Sequence, residues 1–164
     1  MKRTLLLIRH AKSSWDNPDL ADFDRPLNER GLRDAPRMGE RLNQRDINPD
    51  IIISSEAVRA METAKVLAHR LQYAERKIVA DSKLYHADEE TLLHHVHRIP
   101  DEHRIAILVG HNPGLTEFAA LLLEDFEEDI PTCGIVAITF PVDSWKKVLP
   151  QTGRMKFFDY PKKK

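Results

Sequence analysis

Three short stretches carry residues whose types suit one chemistry. Arg9-His10-Ala11-Lys12-Ser13-Ser14, Ser54-Ser55-Glu56-Ala57-Val58-Arg59 and Gly110-His111-Asn112-Pro113-Gly114 each follow an apolar run and each precede a helical pattern. Every one is therefore a strand-to-helix junction. Open α/β sheets bind ligands beyond the carboxyl ends of their strands, so the three junctions deliver Arg9, His10, Arg59 and His111 to one edge. Helix N-termini that open there add partial positive charge and free N–H groups. Two arginines, two imidazoles and several helix ends suit a dianion. Phosphate is the candidate, because the planar guanidinium fork matches its oxygens two at a time. Each residue alone has an ordinary explanation: an Arg-His surface pair, Arg59 pairing with Glu56 or Glu62, or His111 orienting a turn before a proline. Their joint placement after three separate strands points to a site.

The elements that must position them are legible as alternating runs. Thr4–Arg9, Ile51–Ile53, Lys77–Ala80, Arg104–Val109, Ile135–Phe140 and Arg154–Phe158 read as strands. Continuous apolar runs imply burial on both faces, as in parallel sheets. Ala57, Ala60, Met61, Ala64, Leu67, Ala68 and Leu71 recur at helical spacing, with Ser55 as the N-cap. Asn28 could cap a turn, but Pro36 should break a helix running through it, so the first regular helix is expected to begin near Asp34-Ala35-Pro36. Residues 89–98 and 114–123 give two more helices. The predicted fold is α/β, a single domain with a mostly parallel central sheet and helices on both faces.

Composition narrows the class. The chain has 164 residues, a formal net charge of -1 and one cysteine. One domain is the expectation at this length, spanning 1–160 with a solvated basic tail at 161–164. A single cysteine cannot close an internal disulfide. Balanced charge argues against a nucleic-acid partner. The run Leu5-Leu6-Leu7-Ile8 stops at Arg9, too short for a signal sequence or a membrane span, so the chain is expected to be cytoplasmic with no membrane association.

These motifs resemble the histidine phosphatase superfamily, the phosphoglycerate mutase-like proteins. Arg9-His10-Ala11 is similar to its Arg-His-Gly signature, and Ser54 through Ala64 to its S-x-x-x-R-A-x-x-T-A block. Gly110-His111-Asn112-Pro113 resembles the second-histidine block, and Asp24 through Gly31 the R-P-L segment. Ala11 in place of glycine, the run Arg9 through Trp15, the run Arg33 through Met38 and the short length look like the SixA-type phosphohistidine phosphatases. The resemblance implies that His10 is transiently phosphorylated. It implies that Arg9, Arg59 and His111 hold the phosphoryl group, and that no metal or other cofactor takes part. It also implies a phosphoglycerate mutase-like fold, here without a lid insertion.

The chemistry is self-consistent. A neutral imidazole is a competent nucleophile, and the charge of phosphoryl transfer falls on equatorial oxygens, which Arg9, Arg59 and a protonated His111 would surround. Lys12 and Ser13, just past the nucleophile, are secondary candidates for binding phosphate. Most superfamily members carry an acid in an L-x-E context after the third strand; here Leu84-Tyr85-His86 places His86 there, a secondary candidate for proton donor. Asp88, Glu89 and Glu90 read instead as a helix start. An alkyl phosphate needs its leaving alkoxide protonated, whereas phosphohistidine leaves as an imidazole. The expected activity is hydrolysis of phosphohistidine on a protein, such as a phosphotransfer domain or carrier, bound transiently at an open site. The alternatives are a small-molecule phosphomonoesterase and a non-catalytic phosphate-binding module. His94, His95 and His97 read as a polar helix face rather than a metal site, Cys133 as a packed thiol, and Trp15 and Trp145 as loop or rim residues, with Trp15 a candidate for lining the substrate groove.

Overall fold

The computed structural model describes all 164 residues. Six strands, β1 (Arg3–Arg9), β2 (Ile51–Ser55), β3 (Val79–Asp81), β4 (Ile105–Gly110), β5 (Ile135–Phe140) and β6 (Arg154–Asp159), form one sheet in the order β3-β2-β4-β1-β5-β6. β3, β2, β4 and β1 run parallel. β5 and β6 are antiparallel additions at the far edge. Four helices cover the faces: α1 (Glu29–Gln44), α2 (Val58–Arg70), α3 (Glu89–His97) and α4 (Gly114–Leu122).

The alternation of side chains along β1 builds two cores from one strand. Leu5 and Leu7 point to the layer containing Leu92 of α3 and Phe118 of α4. Leu6 and Ile8 point to Met38 of α1 and Leu67 of α2. All four β1 residues are completely buried, each contributing on the order of 1.5–3 kcal/mol. β1, apolar from Leu5 to Ile8, and β4 take the two central places, so His10 and His111 emerge side by side from the centre of the sheet.

Three local expectations need correction. α1 begins at Glu29, not near Asp34, and Pro36 lies inside it. The Asn28 side chain accepts the Gly31 N–H and starts the helix, while Gly31, Ala35, Met38, Gly39 and Leu42 give it a buried stripe. Proline removes only the bond to the Leu32 carbonyl, on a turn exposed enough for water to replace it. Ser55 is not the cap of α2; Ala57 holds that position, and Ser55 faces the site. Trp145 is not a rim residue: it is fully buried, with Nε1 donating to the His103 carbonyl.

The tail is less free than expected. Arg41 donates to the carbonyls of Tyr160 and Pro161, fixing the chain end against α1, and only Lys162–Lys164 remain exposed.

Candidate active site

His10 follows β1 directly, its N–H bonded to the Gly110 carbonyl of β4. Its Nδ1 lies 2.7 Å from the Ala11 carbonyl oxygen, which can only accept. The ring proton is therefore on Nδ1, and Nε2 carries the lone pair. Nε2 meets Arg59 Nε at 3.3 Å. Burial pushes the His10 pKa down to about 4, aided by the charges of Arg59, Arg9 and Arg25 and opposed by the Ala11 bond. The imidazole is thus neutral and oriented, with its basic nitrogen facing a guanidinium.

Arg59 reaches this point from the first turn of α2, held by Thr63. The Thr63 hydroxyl donates to the Arg59 carbonyl and accepts the Ala11 N–H, tying α2 to the loop after β1. His111 enters from β4. Its ring centre lies 5.1 Å from that of His10, and its Nε2 is 2.8 Å from Ser55 Oγ. Its Nδ1 is buried with no partner, the ring's open hydrogen-bonding position. In the unliganded site burial, then the neighbouring His10, Arg59 and His86, push the His111 pKa down to about 3. Arg9 donates to the Ile130 carbonyl, so part of its fork is committed to the wall of the site.

The structure separates the remaining sequence candidates. Lys12 is exposed and contributes its carbonyl, which accepts the Asn28 N–H. Ser13 is buried, and its hydroxyl accepts from Arg25 at 2.6 Å. His86 stands exposed at the rim in the left-handed region (φ 58°), its ring 3.9 Å from Tyr85 and 6.3 Å from His111. With Ala87, Asp88, His111 and Asn112 it lines a cleft of about 120 Å³. A larger concavity, about 690 Å³, lies between 123–128 and 151–155, away from His10.

Three participants were absent from the sequence reading. Asp22, on a short turn after an irregular segment, pairs with Arg59 Nη2 at 2.9 Å and Arg25 Nη1 at 2.8 Å. It also accepts the Tyr85 hydroxyl. The Tyr85 bond, with Arg25 and Arg59, holds its carboxyl far below the usual carboxylate range. Arg25 is buried beneath the ring of Trp15, its guanidinium carbon 3.2 Å from the ring centre. Tyr85 packs edge-on to His111 at 5.4 Å. Only the R-P-L segment, which contains Arg25, offered a sequence signal.

The other titratable candidates have structural tasks. His95 bridges Asp81 and the Thr91 carbonyl, and His97 bonds the Val148 carbonyl. Cys133 is buried, and burial pushes its thiol up to about 12, far from a nucleophile.

A neutral imidazole, a second imidazole and arginines thus meet beyond the carboxyl ends of β1, β2 and β4. Residues 5–88 match the histidine phosphatase superfamily (branch 1), and the chain belongs to that superfamily. It lies in the SixA-type branch. It is 28% identical to SixA of Agrobacterium tumefaciens, whose phosphohistidine phosphatase activity is itself an assignment, with a TM-score of 0.81 over 97% of this chain and 99% of that one. A second SixA structure, a protein histidine phosphatase holding tungstate, shares the fold at a TM-score of 0.83, covering 96% of this chain and 97% of that one at 17% identity. An uncharacterized protein of Mycobacterium tuberculosis is 33% identical over 94% of this chain and its own full length.

Proposed function

We propose that the chain is a phosphohistidine phosphatase acting on a phosphorylated protein, without a metal, through a phospho-His10 intermediate. The observation that carries this is His10 itself: neutral, its Nδ1–H fixed on the Ala11 carbonyl and its Nε2 free to bond phosphorus. Nε2 attacks phosphorus as the P–N bond to the substrate histidine breaks. Water then cleaves the new P–N bond, returning His10 and releasing phosphate. Arg59 and Arg9 are the charges for the equatorial oxygens, and the open Nδ1 of His111 is a further donor position once a dianion raises its proton affinity. Preorganised donors of this kind are commonly worth about 10²–10³ in rate each.

The proton inventory supports this substrate class. The carboxylate nearest the reacting groups is Asp22, and it is an ion-paired anion with no proton to give. His86 is set back at the rim. An alkoxide would leave without a dedicated acid, whereas an imidazole needs none. The tungstate held by a SixA structure of the same fold fits a seat for a tetrahedral oxyanion.

The test is turnover of a histidine-phosphorylated phosphotransfer domain against p-nitrophenyl phosphate and sugar phosphates, all in EDTA. The phosphohistidine protein should be hydrolysed fastest, and His10→Ala should lose turnover. Faster hydrolysis of sugar phosphates makes the chain a phosphomonoesterase. Loss of activity in EDTA refutes the metal-free step, and turnover by His10→Ala refutes the nucleophile.

A further inference from the structure

One face of the molecule carries a charge that the chemistry of His10 does not use. Arg30, Arg33, Arg37, Arg41 and Arg45 recur along α1 at intervals of three and four, so they share one stripe of the helix. The stripe is the outward face, opposite Ala35, Met38 and Leu42. Arg41 fixes the carbonyls of Tyr160 and Pro161, and this lays Lys162–Lys164 across the same stripe. Two adjoining concavities result. One, about 360 Å³, is lined by Arg30, Arg33, Asp34, Arg37, Pro161 and Lys162. The other, about 460 Å³, is lined by Arg41, Gln44, Arg45, Asp159, Lys163 and Lys164. Neither has a hydrophobic lining residue.

The carboxylates within the stripe do not neutralise it. Asp159 serves Arg41 at 2.9 Å and Arg45 at 3.9 Å. Asp34 is buried and meets only Arg30 Nε, at 3.4 Å. Arg33 and Arg37 are exposed and have no partner in the chain. Eight cations thus stand against two carboxylates in a protein whose formal net charge is -1. The compensating acid lies elsewhere: Glu124, Asp125, Glu127, Glu128 and Asp129 follow α4, on the opposite face of the sheet.

The stripe starts at the nucleophile junction. Gly31 packs so closely under the Lys12 carbonyl that a Cβ there would lie 2.2 Å from its oxygen. Arg30 therefore sits beside the loop that follows His10, and α1 carries the charge away over 16 residues, about 24 Å. That is the span of one side of a standard protein interface.

We propose that the arginine face of α1, with Lys162–Lys164, is the docking ridge for an acidic surface of the protein that presents the phosphohistidine. This rests on the reading of the substrate as protein-borne and adds where the partner sits and what charge it carries. Exposed unpaired arginines at the rim of a site steer an acidic partner and set its register. The formal net charge of -1 favours a folded protein partner over nucleic acid, whose binders carry a basic excess.

The test uses Arg33→Glu/Arg37→Glu, which alters neither the site nor any internal ion pair. The probes are an acidic and a basic phosphotransfer domain, each phosphorylated on histidine, together with free phosphohistidine. At about 50 mM salt the acidic domain should be the better substrate by about tenfold, an advantage that shrinks as salt rises. The double variant should raise KM for the acidic domain about tenfold, leaving its kcat and the turnover of free phosphohistidine unchanged. An unchanged KM, or an equal loss on free phosphohistidine, overturns the ridge. So does salt-resistant binding of a DNA duplex that the variant abolishes while the acidic domain is unaffected. If no phosphohistidine compound is hydrolysed, the functional reading falls separately. The ridge is then judged by equilibrium binding of the unphosphorylated acidic domain to both chains: a salt-sensitive difference supports it, and equal binding overturns it.

Discussion

At the scale of single residues, burial sets protonation states in the proposed site before any ligand arrives. His10 and His111 have their pKa values pushed down to about 4 and about 3, first by burial and then by neighbouring positive charge. Long-range proton–nitrogen NMR spectra should therefore show both rings neutral at pH 5.5, His10 as the Nδ1–H tautomer, with titration below the ordinary midpoint of about 6.5. A midpoint near 6.5 for His10 contradicts the geometry. Asp22 makes the opposite contribution, since its carboxylate occupies Arg59 and Arg25 in the unliganded protein. Asp22→Asn should leave Arg59 freer for an anion, and inorganic phosphate should inhibit about tenfold more tightly, the worth of one charge-assisted hydrogen bond. Weaker inhibition by phosphate would mean instead that Asp22 holds Arg59 in place. Arg9, His10, Arg59 and His111 were legible because each stands at a fixed offset from a strand end. Asp22 was not: it lies twelve residues past His10 in an irregular segment, and only the return of the chain through Arg25 brings it back.

At the scale of elements, two tight junctions fix the distance between the loop after β1 and the helices. The Thr63 hydroxyl joins α2 to the loop after β1 by bonds to the Arg59 carbonyl and the Ala11 N–H. Thr63→Val keeps the shape and orphans a buried N–H, which costs about 1–3 kcal/mol. Turnover should fall together with thermal stability, whereas Thr63→Ser should restore both. Gly31 is the second junction. With a Cβ only 2.2 Å from the Lys12 carbonyl oxygen, Gly31→Ala must push α1 away from the loop after β1, and a lower melting temperature checks it. The strands were readable because they are apolar runs bounded by polar junctions, and β5 matches its expected limits. The start of α1 was not, because the local rule that proline ends a helix yields to a capped, buried stripe running past it. Ser55 departs from its local pattern for a related reason: its type suits a cap, but its contact with His111 is set by the pairing of β2 with β4, which no local pattern reports.

At the scale of the whole molecule, placing two histidines in the sheet's centre ties stability to pH. Unfolded, each would take up a proton as pH falls below about 6.5. Folded, neither does so until about 4 or below. Between these limits the unfolded chain binds more protons than the folded one, so stability is lost on acidification, by up to about 1.4 kcal/mol per pH unit for each histidine. The carboxylate of Asp22, whose pKa is also depressed, acts in the same direction but lower down: its stabilisation is complete above the ordinary carboxylate pKa of about 3.9 and is lost as pH falls through and below it. The window from about 6.5 down to about 4 therefore belongs to the buried imidazoles. Denaturant melts of the unliganded protein across this window should show a falling midpoint at constant m-value. His111→Gln, which cannot take up the proton in either state, should flatten the slope toward half. Phosphate added at the same pH should counteract the loss in the parent chain, because a bound anion favours the protonated ring and binds only the folded state. A midpoint that stays level from pH 6.5 to pH 4.5 without phosphate would show that these imidazoles keep their water on folding, and would remove the basis for treating His10 as a desolvated nucleophile.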